Sequence, residues 1–403
     1  MDSLKIAFYT DTYLPAVDGV VASILNAKEE LERRGHKVYV FTSGHSIAKP
    51  MTEIGKNVYA VHGVRFKAYP QYRLALFPFL TSQKLNSIKP DIVHAHTPFM
   101  MGLSALAMAR VNKIPIVGTF HTFFTHKSVV EQYAGSQIAQ RVMMRTAWPY
   151  ARFFFRRCNL TIAPSRSTEK ILNMHNITNT VTVPNGVDTR RFNPRNSGIA
   201  IRKRMTDGGK QKIVLYVGRM SREKRIDVIL KAARMLDRPD IRFVFVGTGP
   251  AAHYYQHMAI DYKLKENVRF TGFVSQEELP KYYAAADVLC TASTFETQGI
   301  VLLEALASGK PIIGPSRLAI KEIIKSGRNG ETFTAGDALS LARKIEKVLG
   351  HRKAYKETVK TAELYSIRNA TDTLLNVYKD VISGNGSSYL IDEAAQRRFA
   401  GRK

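Results

Sequence analysis

The sequence predicts an α/β fold with two doubly wound domains, each built on a parallel β-sheet. Short apolar strand patterns alternate with helical patterns between residues 4 and 118, and a second alternating series runs between residues 213 and 314. Alternation of this kind favours βαβ units, in which ligand loops lie at the carboxyl ends of the strands. Residues 189–212 are polar, basic and without periodicity, so they are predicted to link the two domains.

The first domain is predicted to span residues 1–190. Its first helix follows the loop 11–19, keeps one apolar face and ends at Gly35. A second helix is predicted near residues 103–111. The predicted strands of this domain are residues 4–10, 36–42, 91–95, 115–118, 160–165 and 181–184.

The second domain is predicted to span residues 191–365. Ser275 and Glu278 form a capping box at the start of one of its helices. A final helix, residues 366–383, is expected to pack back on the first domain, and residues 384–403 are expected to be a mobile tail. Further predicted helices are residues 226–236 and 251–262, and the predicted strands are residues 213–218, 241–247, 267–270, 288–291 and 311–314.

Composition is typical of a folded protein that is not secreted. The chain has 403 residues, enough for two sizeable cores, with 45% hydrophobic and 23% charged residues. Two cysteines cannot form a disulfide framework, the N-terminus has no signal-peptide pattern, and no apolar run could span a bilayer. We therefore expect a cytoplasmic location. The net charge of +27 predicts either an anionic partner or a solvated basic surface.

A helix that is apolar on nearly every side carries one isolated carboxylate, Glu304. The helix is predicted to open at Gly299 and to close at Gly309, with Pro311 preventing its continuation. Because the residues one turn away from Glu304 are uncharged, burial of this carboxylate requires a partner from another segment. One interpretation is a salt bridge in the core. The other is that Glu296 and Glu304 flank a helix N-terminus at which an anionic ligand binds.

Two loops offer groups that could bind phosphate. In the second domain, Arg219 and Lys224 could converge on a diphosphate, because guanidinium groups bind phosphate oxygens in pairs and ammonium groups supply a point charge. A charged surface loop is the alternative. In the first domain, Gly19 follows Asp18 at a helix start, where glycine permits close backbone approach to an anion. Residues 247–250 lack the third glycine of a G-x-G-x-x-G motif, which argues against a nicotinamide enzyme.

Four histidines of the first domain are candidates for metal binding or catalysis. His94 and His96 lie two residues apart on one strand, but no acid or cysteine accompanies them at a diagnostic spacing, so structural roles are favoured. His121 differs because it follows the carboxyl end of a strand, where α/β proteins bind ligands, and His126 lies shortly after it. No D-x-D motif occurs, so a divalent ion bridging a diphosphate has no obvious ligands. Basic residues and helix N-termini would neutralise a diphosphate instead.

Residues 127–166 are rich in basic and aromatic side chains. The segment contains seven Lys and Arg residues, one acidic residue and six aromatic residues. Basic residues among aromatic ones suit an interfacial helix on an anionic membrane. The alternative is an ordinary amphipathic helix whose aromatic residues belong to the core. For each single aromatic residue, we favour this core interpretation. The predicted membrane contacts are Arg145, Arg152, Arg156 and Arg157.

Taken together, these motifs resemble those of the retaining nucleotide-sugar glycosyltransferases with the GT-B fold and the E-x7-E signature, glycosyltransferase family four. The resemblance covers nearly the whole chain, and the joint occurrence of the motifs is specific although no single motif is. It implies two Rossmann-like domains that face each other across a cleft. The matching segments are residues 10–15, 18–20, 120–122, 184–188, 218–219, Lys224 and 296–304.

The resemblance implies a donor-binding role for several residues of the second domain. Arg219 and Lys224 would hold the donor diphosphate. Glu304 would bind the ribose hydroxyls, and Glu296 would bind the hydroxyls of the donor sugar as one of two catalytic candidates. The remaining donor contacts would come from Gln298, Gly299, Ile300 and Val301.

The resemblance also assigns roles to residues of the first domain. Gly19 would lie over the phosphates, and His121, the second catalytic candidate, would contact the sugar near its anomeric carbon. Members of the family react on one face of the sugar, with the leaving phosphate assisting deprotonation of the acceptor. No protein nucleophile is then required, and no metal or cofactor is expected. The acceptor-side candidates are Asp11, Asp18 and His126.

One departure from the family pattern concerns the acceptor. Many members have an aromatic residue and a glycine after the first glutamate of the signature, whereas this chain has Thr297, Gln298 and Gly299. This variant is similar to the diacylglycerol glucosyltransferase branch, which is peripheral and acts on membrane lipid. The resemblance thus implies transfer of a hexose from a donor of the UDP-glucose type to a diacylglycerol-like lipid, at the inner face of the cell membrane.

Three other functions are compatible with the sequence. A GDP-mannose-dependent transferase acting on phosphatidylinositol or another polyol would have the same motifs, and so would a transferase acting on a soluble acceptor. A nucleic-acid-binding protein would use the same net charge of +27. Because no recognition module is present and the charge is spread over both halves of the chain, no nucleic-acid partner is expected.

Overall fold

The computed structural model of the chain describes residues 3–16, 18–44, 50–66, 69–133 and 136–384. Its contacts divide the chain into two compact units, Met1–Gly186 with Ile367–Lys403, and Val187–Ser366. The division lies four residues before the boundary placed at 190/191 from the sequence, because the chain from Val187 onward packs within the second unit. Of the tail expected at 384–403, only Gly384 belongs to the described residues.

The described residues of the first unit form one nine-stranded sheet. The sheet order is β3-β4-β2-β1-β6-β7-β8-β9, and β5 pairs with β4, where the strands are β1 Lys5–Thr10, β2 Lys37–Gly44, β3 Met51–Gly55, β4 Val58–Phe66, β5 Tyr69–Ala75, β6 Ile92–Ala95, β7 Ile116–Thr119, β8 Leu160–Ala163 and β9 Thr180–Thr182. Strands β3 and β5 pair antiparallel with β4, and all other pairs are parallel. The winding changes direction between β1 and β6, and α/β sheets bind ligands at such a switch point.

The helices of the first unit cover this sheet. Ile6 and Phe8 of β1 pack with Ile24 and Leu31 of the first helix, and all four side chains are fully buried. Burial of such side chains is the main contribution that holds the helix on the sheet. Among the described residues before Gly186, the helices are α1 Gly19–Arg33, α2 Thr81–Ile88, α3 Met100–Val111, α4 Lys127–Tyr133, α5 Gln137–Phe155 and α6 Arg166–Met174.

The second unit, all of whose residues are described, has a six-stranded parallel sheet. The sheet order is β12-β11-β10-β13-β14-β15, where the strands are β10 Lys212–Val217, β11 Ile241–Val246, β12 Val268–Gly272, β13 Val288–Cys290, β14 Ile312–Pro315 and β15 Gly330–Phe333. Its helices are α7 Ile199–Met205, α8 Ile226–Leu236, α9 Ala252–Asp261, α10 Leu279–Ala285, α11 Ile300–Ala307, α12 Leu318–Ile323, α13 Ala338–Gly350 and α14 Thr358–Leu364. The winding changes direction between β10 and β13.

The last helix, α15 Ile367–Ile382, belongs to the first unit. It packs against α1, where Arg34 donates a hydrogen bond of 2.5 Å to Asp372, and its Tyr378 is fully buried. Within the described residues, no helix combines the length and the apolar character that crossing a membrane requires.

The structure departs from the sequence prediction in several segments, of which the predicted linker is the first. The predicted linker contains α7, whose Ile201 is buried in the core of the second unit together with Phe192. Two buried apolar side chains in a basic segment are too few to produce a visible periodicity. Strands β3, β4, β5 and β15 and helix α13 are also absent from the sequence prediction. Strands β3 and β5 lie at sheet edges, and an edge strand needs no alternating apolar pattern.

Candidate active site

Two loops of the second unit meet at the switch point of its sheet. Strands β10 and β13 are direct neighbours, with Leu215 opposite Leu289, so the loops that follow them lie side by side. The loop after β10 carries Arg219 and Lys224, and the loop after β13 carries Glu296. Lys224 Nζ donates a hydrogen bond of 2.6 Å to Glu296 Oε1. Two residues predicted from separate segments therefore form one ion pair.

Arg219 is held by Glu223, a residue outside the predicted site. Its guanidinium lies 2.8 Å from Glu223 Oε1, which also accepts a hydrogen bond from the Ser221 hydroxyl. Burial alone would raise the pKa of Glu223, but the charge of Arg219 and these hydrogen bonds lower it below its usual value. Glu223 Oε2 is buried and has no hydrogen-bond partner among the described residues. The sequence signal that could have identified Glu223 is its position between two cationic residues, Arg222 and Lys224.

The backbone of this loop is packed tightly against the loop that follows β11. Gly247 has a φ of 131°, and a Cβ atom there would lie 2.1 Å from the carbonyl oxygen of Gly218. A Cβ atom on Gly249 would lie 2.5 Å from the carbonyl oxygen of Met220. The amide of Met220 donates a hydrogen bond of 2.8 Å to the carbonyl of Thr248. The glycines of residues 247–250 thus permit contact between two loops, and this contact positions the chain that carries Arg219.

The isolated carboxylate of Glu304 has a hydroxyl as its partner. Helix α11 begins after Gly299 and ends before Gly309, both in the left-handed region with φ of 85° and 73°, as the sequence predicts. Tyr283 donates a hydrogen bond of 2.5 Å to Glu304 Oε2, and no ion pair reaches Glu304 from the described residues. Burial raises the pKa of Glu304, while the hydrogen bond from Tyr283 and the charge of Arg191 lower it. The core salt bridge is therefore not formed.

The first turn of α11 lies between Glu296 and Glu304. Helix N-termini present amide groups that have no acceptor within the helix, and they favour negative charge. Gln298, which precedes the helix, is buried. The groups of this turn that could face a ligand are the amides of Gly299, Ile300 and Val301.

In the first unit, Asp11 connects the end of β1 to the start of α3. Its carboxylate accepts hydrogen bonds from the hydroxyl of Thr97 at 2.5 Å and from the amide of Met101 at 2.9 Å. Burial raises the pKa of Asp11 to about 6, although these hydrogen bonds lower it. The side chain thus caps α3 and fixes the loop that precedes α1.

Asp18 and Gly19 form the N-terminus of α1. The carboxylate of Asp18 accepts hydrogen bonds from the amides of Val20 and Val21, both at 2.9 Å, which is an N-cap arrangement. A Cβ atom on Gly19 would meet no other atom within 4 Å. The helix start therefore stays open at Gly19, as close approach of an anion requires.

Three histidines stack at the carboxyl ends of β6 and β7. The ring centroids of His94 and His96 are 4.0 Å apart, and His96 Nδ1 lies 3.0 Å from His121 Nε2. His94 is further hydrogen-bonded to the hydroxyls of Thr119 and Tyr378, each at 2.6 Å. Burial lowers the pKa of His121 to about 3 and the pKa values of His94 and His96 well below the usual range. All three imidazoles are therefore neutral at physiological pH.

A small cavity of about 40 Å³ adjoins this histidine stack. His96 Nε2 is buried and has no hydrogen-bond partner among the described residues. No group of three His, Cys, Asp or Glu side chains in the described part of the chain could hold a metal ion. His126 is half-buried, and burial lowers its pKa.

Helix α5 exposes apolar and basic side chains side by side. Ile138 is 75% and Val142 is 55% exposed. Successive residues of an α-helix are rotated by about 100° around its axis. Four arginines of this region therefore point in directions that lie within about 60° of one another, and the side chain of Ile138 points in the same direction. These arginines are Arg141, Arg145, Arg152 and Arg156, of which only Arg152 is partly covered.

The aromatic residues of the same segment divide between core and surface. Phe154 and Phe155 are buried, so the core interpretation is right for these two. Phe153 is 45% exposed, and the guanidinium of Arg157 lies 4.0 Å from its ring centroid. The described part of the segment therefore has an exposed basic and aromatic surface next to a buried aromatic core.

Comparisons with known proteins identify the class to which this fold and site belong. Residues 17–191 match the family described as Glycosyltransferase Family 4, and residues 199–365 match the family described as Glycosyl transferases group 1. The chain is 32% identical over 333 residues to a GDP-mannose-dependent alpha-mannosyltransferase of Corynebacterium glutamicum, covering 81% of this chain and 76% of that protein. It is 29% identical over 345 residues to an alpha-monoglucosyldiacylglycerol synthase of Acholeplasma laidlawii, covering 83% of this chain and 86% of that protein.

A solved structure shows the same fold. The sucrose-phosphate synthase of Thermosynechococcus elongatus matches with a TM-score of 0.76 at 20% identity, covering 94% of this chain and 100% of the other. The protein is thus a glycosyltransferase with two Rossmann-like domains. It belongs to glycosyltransferase family 4, with the group 1 glycosyltransferase domain in its second unit. The fold class, the enzyme class and the resemblance to the diacylglycerol glucosyltransferase branch are confirmed.

The predicted site residues form two groups in the structure. In the second unit, Lys224 contacts Glu296 directly, Arg219 lies in the same loop as Lys224, and Glu304 lies about one turn into α11, the helix that follows Glu296. In the first unit, His121 contacts the buried histidine stack rather than standing alone. The ligands that these residues bind, including the roles assigned to Asp11, Asp18 and His126, remain predictions.

Proposed function

We propose that this glycosyltransferase moves a hexosyl group from a nucleoside-diphosphate hexose of the UDP-glucose type to a diacylglycerol-like lipid at an anionic membrane surface. The similarity to an alpha-monoglucosyldiacylglycerol synthase over 83% of the chain supports a glucosyl group and a diacylglycerol-like acceptor. The exposed basic and apolar face of α5 is the structural observation that carries the membrane part of the proposal.

The donor diphosphate would bind beside the loops that follow β10 and β13. Arg219 and Lys224 supply positive charge there, and both are oriented by carboxylates, Glu223 and Glu296. Charged donors fixed in advance stabilise the charge that develops on a leaving diphosphate. When the donor binds, its sugar hydroxyls would share Glu296 with Lys224, and its ribose hydroxyls would bind Glu304.

The proposed reaction breaks the bond between the anomeric carbon and the diphosphate oxygen and forms a bond between that carbon and the acceptor hydroxyl oxygen. The hydroxyl proton passes to an oxygen of the departing diphosphate. The new bond forms on the face of the sugar from which the diphosphate leaves, so the anomeric configuration is retained. Neutral His121 would contact the sugar near the anomeric carbon, since its low pKa keeps the imidazole uncharged.

The lipid acceptor would be reached from the cytoplasmic face of the membrane. Arginines near an anionic bilayer each contribute about 1 kcal/mol of attraction. Ile138 and Val142, which are exposed between or beside these arginines, could insert apolar surface among the headgroups. An enzyme that binds through such a helix would associate with the membrane peripherally.

A second candidate function is transfer of mannose from GDP-mannose to phosphatidylinositol or another polyol. It is supported by the 32% identity to a GDP-mannose-dependent alpha-mannosyltransferase. Both functions use the same loops for the diphosphate, so the choice between them depends on the base and the sugar.

The test combines donor binding with transfer in vesicles. Thermal unfolding is measured with UDP-glucose, GDP-mannose and ADP-glucose, because a ligand at a hundred times its Kd adds about 2.7 kcal/mol of stability. Transfer is then followed into vesicles of phosphatidylglycerol that contain either diacylglycerol or phosphatidylinositol. We expect stabilisation by UDP-glucose and an α-linked glucosyl product on diacylglycerol. Mannosylation of phosphatidylinositol would establish the second candidate, and donor turnover without any lipid product would contradict both.

A further inference from the structure

The second unit contains a basic cavity at the amino ends of its central strands, whereas the candidate active site lies at their carboxyl ends. The cavity has a volume of about 400 Å³. It is lined by Lys212, the first residue of β10, by Asp287, which directly precedes β13, and by His351, Arg352 and Lys353, which follow α13. The same two strands carry the donor loops at their other ends. A six-residue strand such as β10 separates the two regions by about 15–20 Å.

The charge around this cavity is strongly one-sided. Asp287 is the acid among the lining residues, whereas Lys212, Arg352 and Lys353 are cations. Two further cations lie immediately behind it: Arg202 contacts Asp287 at 2.6 Å, and Lys310 donates to the carbonyl of Ala284 at 2.7 Å. Asp287 is thus the one carboxylate among the lining residues, and a second carboxylate, Asp240, lies near Lys212 but is paired with Arg238.

Both carboxylate oxygens of Asp287 already accept hydrogen bonds. Asp287 Oδ2 accepts hydrogen bonds from Arg202 at 2.6 Å and from the amide of Ile213 at 2.8 Å, while Arg352 donates to Oδ1. Burial, and to a smaller extent the charges of Arg352 and Arg202, lower the pKa of Lys310 to about 8, while the charge of Asp287 raises it. Lys353 and His351 make no side-chain hydrogen bond or ion pair with the described residues, and both are exposed.

We propose that this cavity is a second anion site of the enzyme, which binds a phosphate-bearing ligand through Lys212, Arg352, Lys353 and His351. Its volume of about 400 Å³ falls within the range of small-ligand sites, roughly 300–1,000 Å³. Arg352 supplies a planar fork for phosphate oxygens, and the lysines supply point charges. The carboxyl end of α13 opposes an anion through its helix dipole, but several charge-assisted hydrogen bonds contribute more than this opposition.

The phosphate could belong to a soluble metabolite or to a lipid headgroup, and the experiment separates these sources. Binding of inorganic pyrophosphate is measured by calorimetry at constant ionic strength on the full chain. The cavity variant is Lys212→Gln with Lys353→Gln, both exposed positions. The matched control is Lys265→Gln with Lys360→Gln, which removes the same charge from exposed positions outside the cavity. A third protein, Arg219→Ala with Lys224→Ala, removes binding at the donor loops.

We expect pyrophosphate to bind the donor-loop variant and the charge control, and to bind the cavity variant at least about tenfold more weakly at the second site. Sedimentation with vesicles of phosphatidylcholine, with and without phosphatidic acid, identifies the source. A loss of vesicle binding in the cavity variant alone would indicate a lipid headgroup, and no change would indicate a soluble phosphate. The proposal is overturned if the cavity variant and the charge control bind both pyrophosphate and vesicles equally.

Discussion

The hydroxyl of Tyr283 lies 2.5 Å from Glu304 Oε2 in the core of the second unit. Tyr283 comes from α10 and is fully buried, and Glu304 comes from α11. A carboxylate at this position needs a donor, because an unpaired buried acceptor costs about 1–3 kcal/mol. The tyrosine supplies that donor without introducing a charge, so one oxygen of Glu304 is held while the carboxylate remains an acceptor for ligand hydroxyls.

Tyr283→Phe should therefore lower the free energy of unfolding by about 1–3 kcal/mol. The neighbouring Tyr282→Phe is a matched control, because its hydroxyl accepts a hydrogen bond from Arg204, whose side chain is 52% exposed and can bind water instead. Urea denaturation of both variants measures the difference. Equal losses in the two variants would contradict a special role for the contact between Tyr283 and Glu304.

Lys224→Met should reduce kcat of glycosyl transfer by about 10²–10³-fold, if the ammonium group stabilises the departing diphosphate. Lys231→Met is the control, because Lys231 lies on the following helix and is 3.9 Å from Asp227 in a half-exposed pair. Steady-state kinetics of both variants are compared with the native enzyme. A variant with unchanged kcat would show that Lys224 serves only to position Glu296.

Gly247→Ala should destabilise the second unit by about 2–5 kcal/mol, because its Cβ atom would lie 2.1 Å from the backbone oxygen of Gly218 and this clash adds to backbone strain. Gly336→Ala separates this clash from backbone strain, since Gly336 has a φ of 82° but open space around its Cβ position. Strain alone should cost about 1–2 kcal/mol. Thermal unfolding of the two variants is the measurement, and equal shifts of Tm would contradict the loop contact.

The elements that could be predicted from the sequence are those whose signals are local. Helix α8 was predicted at residues 226–236 and is observed there, because its buried face repeats every three to four residues. The ends of α11 were also predictable, because glycine at Gly299 and Gly309 marks a left-handed backbone. Packing partners between segments were not predictable in this way.

The hydrogen bond between Tyr283 and Glu304 joins residues that are 21 positions apart on different helices. No periodicity in either helix identifies the other residue as a partner. Glu223 was missed for a similar reason, since its contact with Arg219 depends on how the short turn after β10 folds. The candidate residues could thus be identified from the sequence, whereas the contacts between them are determined by the tertiary structure.

Replacement of Arg145 on α5 and of Arg156 directly after it, Arg145→Gln with Arg156→Gln, should weaken binding to phosphatidylglycerol vesicles. At about 1 kcal/mol for each arginine, the expected loss is about thirtyfold. Arg110→Gln with Lys113→Gln removes the same charge from exposed positions at the end of α3. Vesicle sedimentation compares the two, at low salt because added salt screens exposed charges. If the control loses as much binding as the α5 variant, net charge rather than this helix attracts the membrane.

The histidine stack should make the first unit sensitive to acid. The folded-state pKa values of His94, His96 and His121 lie below their usual value of 6.5, so the unfolded chain binds more protons when the pH falls below 6.5. The stability that the neutral imidazoles provide is complete above that pH and is lost on acidification, by about 4 kcal/mol per pH unit for three groups. For His121 the loss continues down to its folded pKa of about 3.

This sensitivity can be measured through the single tryptophan of the chain, Trp148, which lies on α5 in the first unit. Urea midpoints followed by its fluorescence between pH 7.5 and pH 5.5 should shift to lower urea for the native protein. His121→Gln removes one of these three protons. Because the pKa values of His36, His126 and His175 are also lowered, the slope should fall by less than about a third. His253→Gln, an exposed position of the second unit, should leave the slope unchanged. A slope that His121→Gln does not alter would mean that other groups control the acid transition.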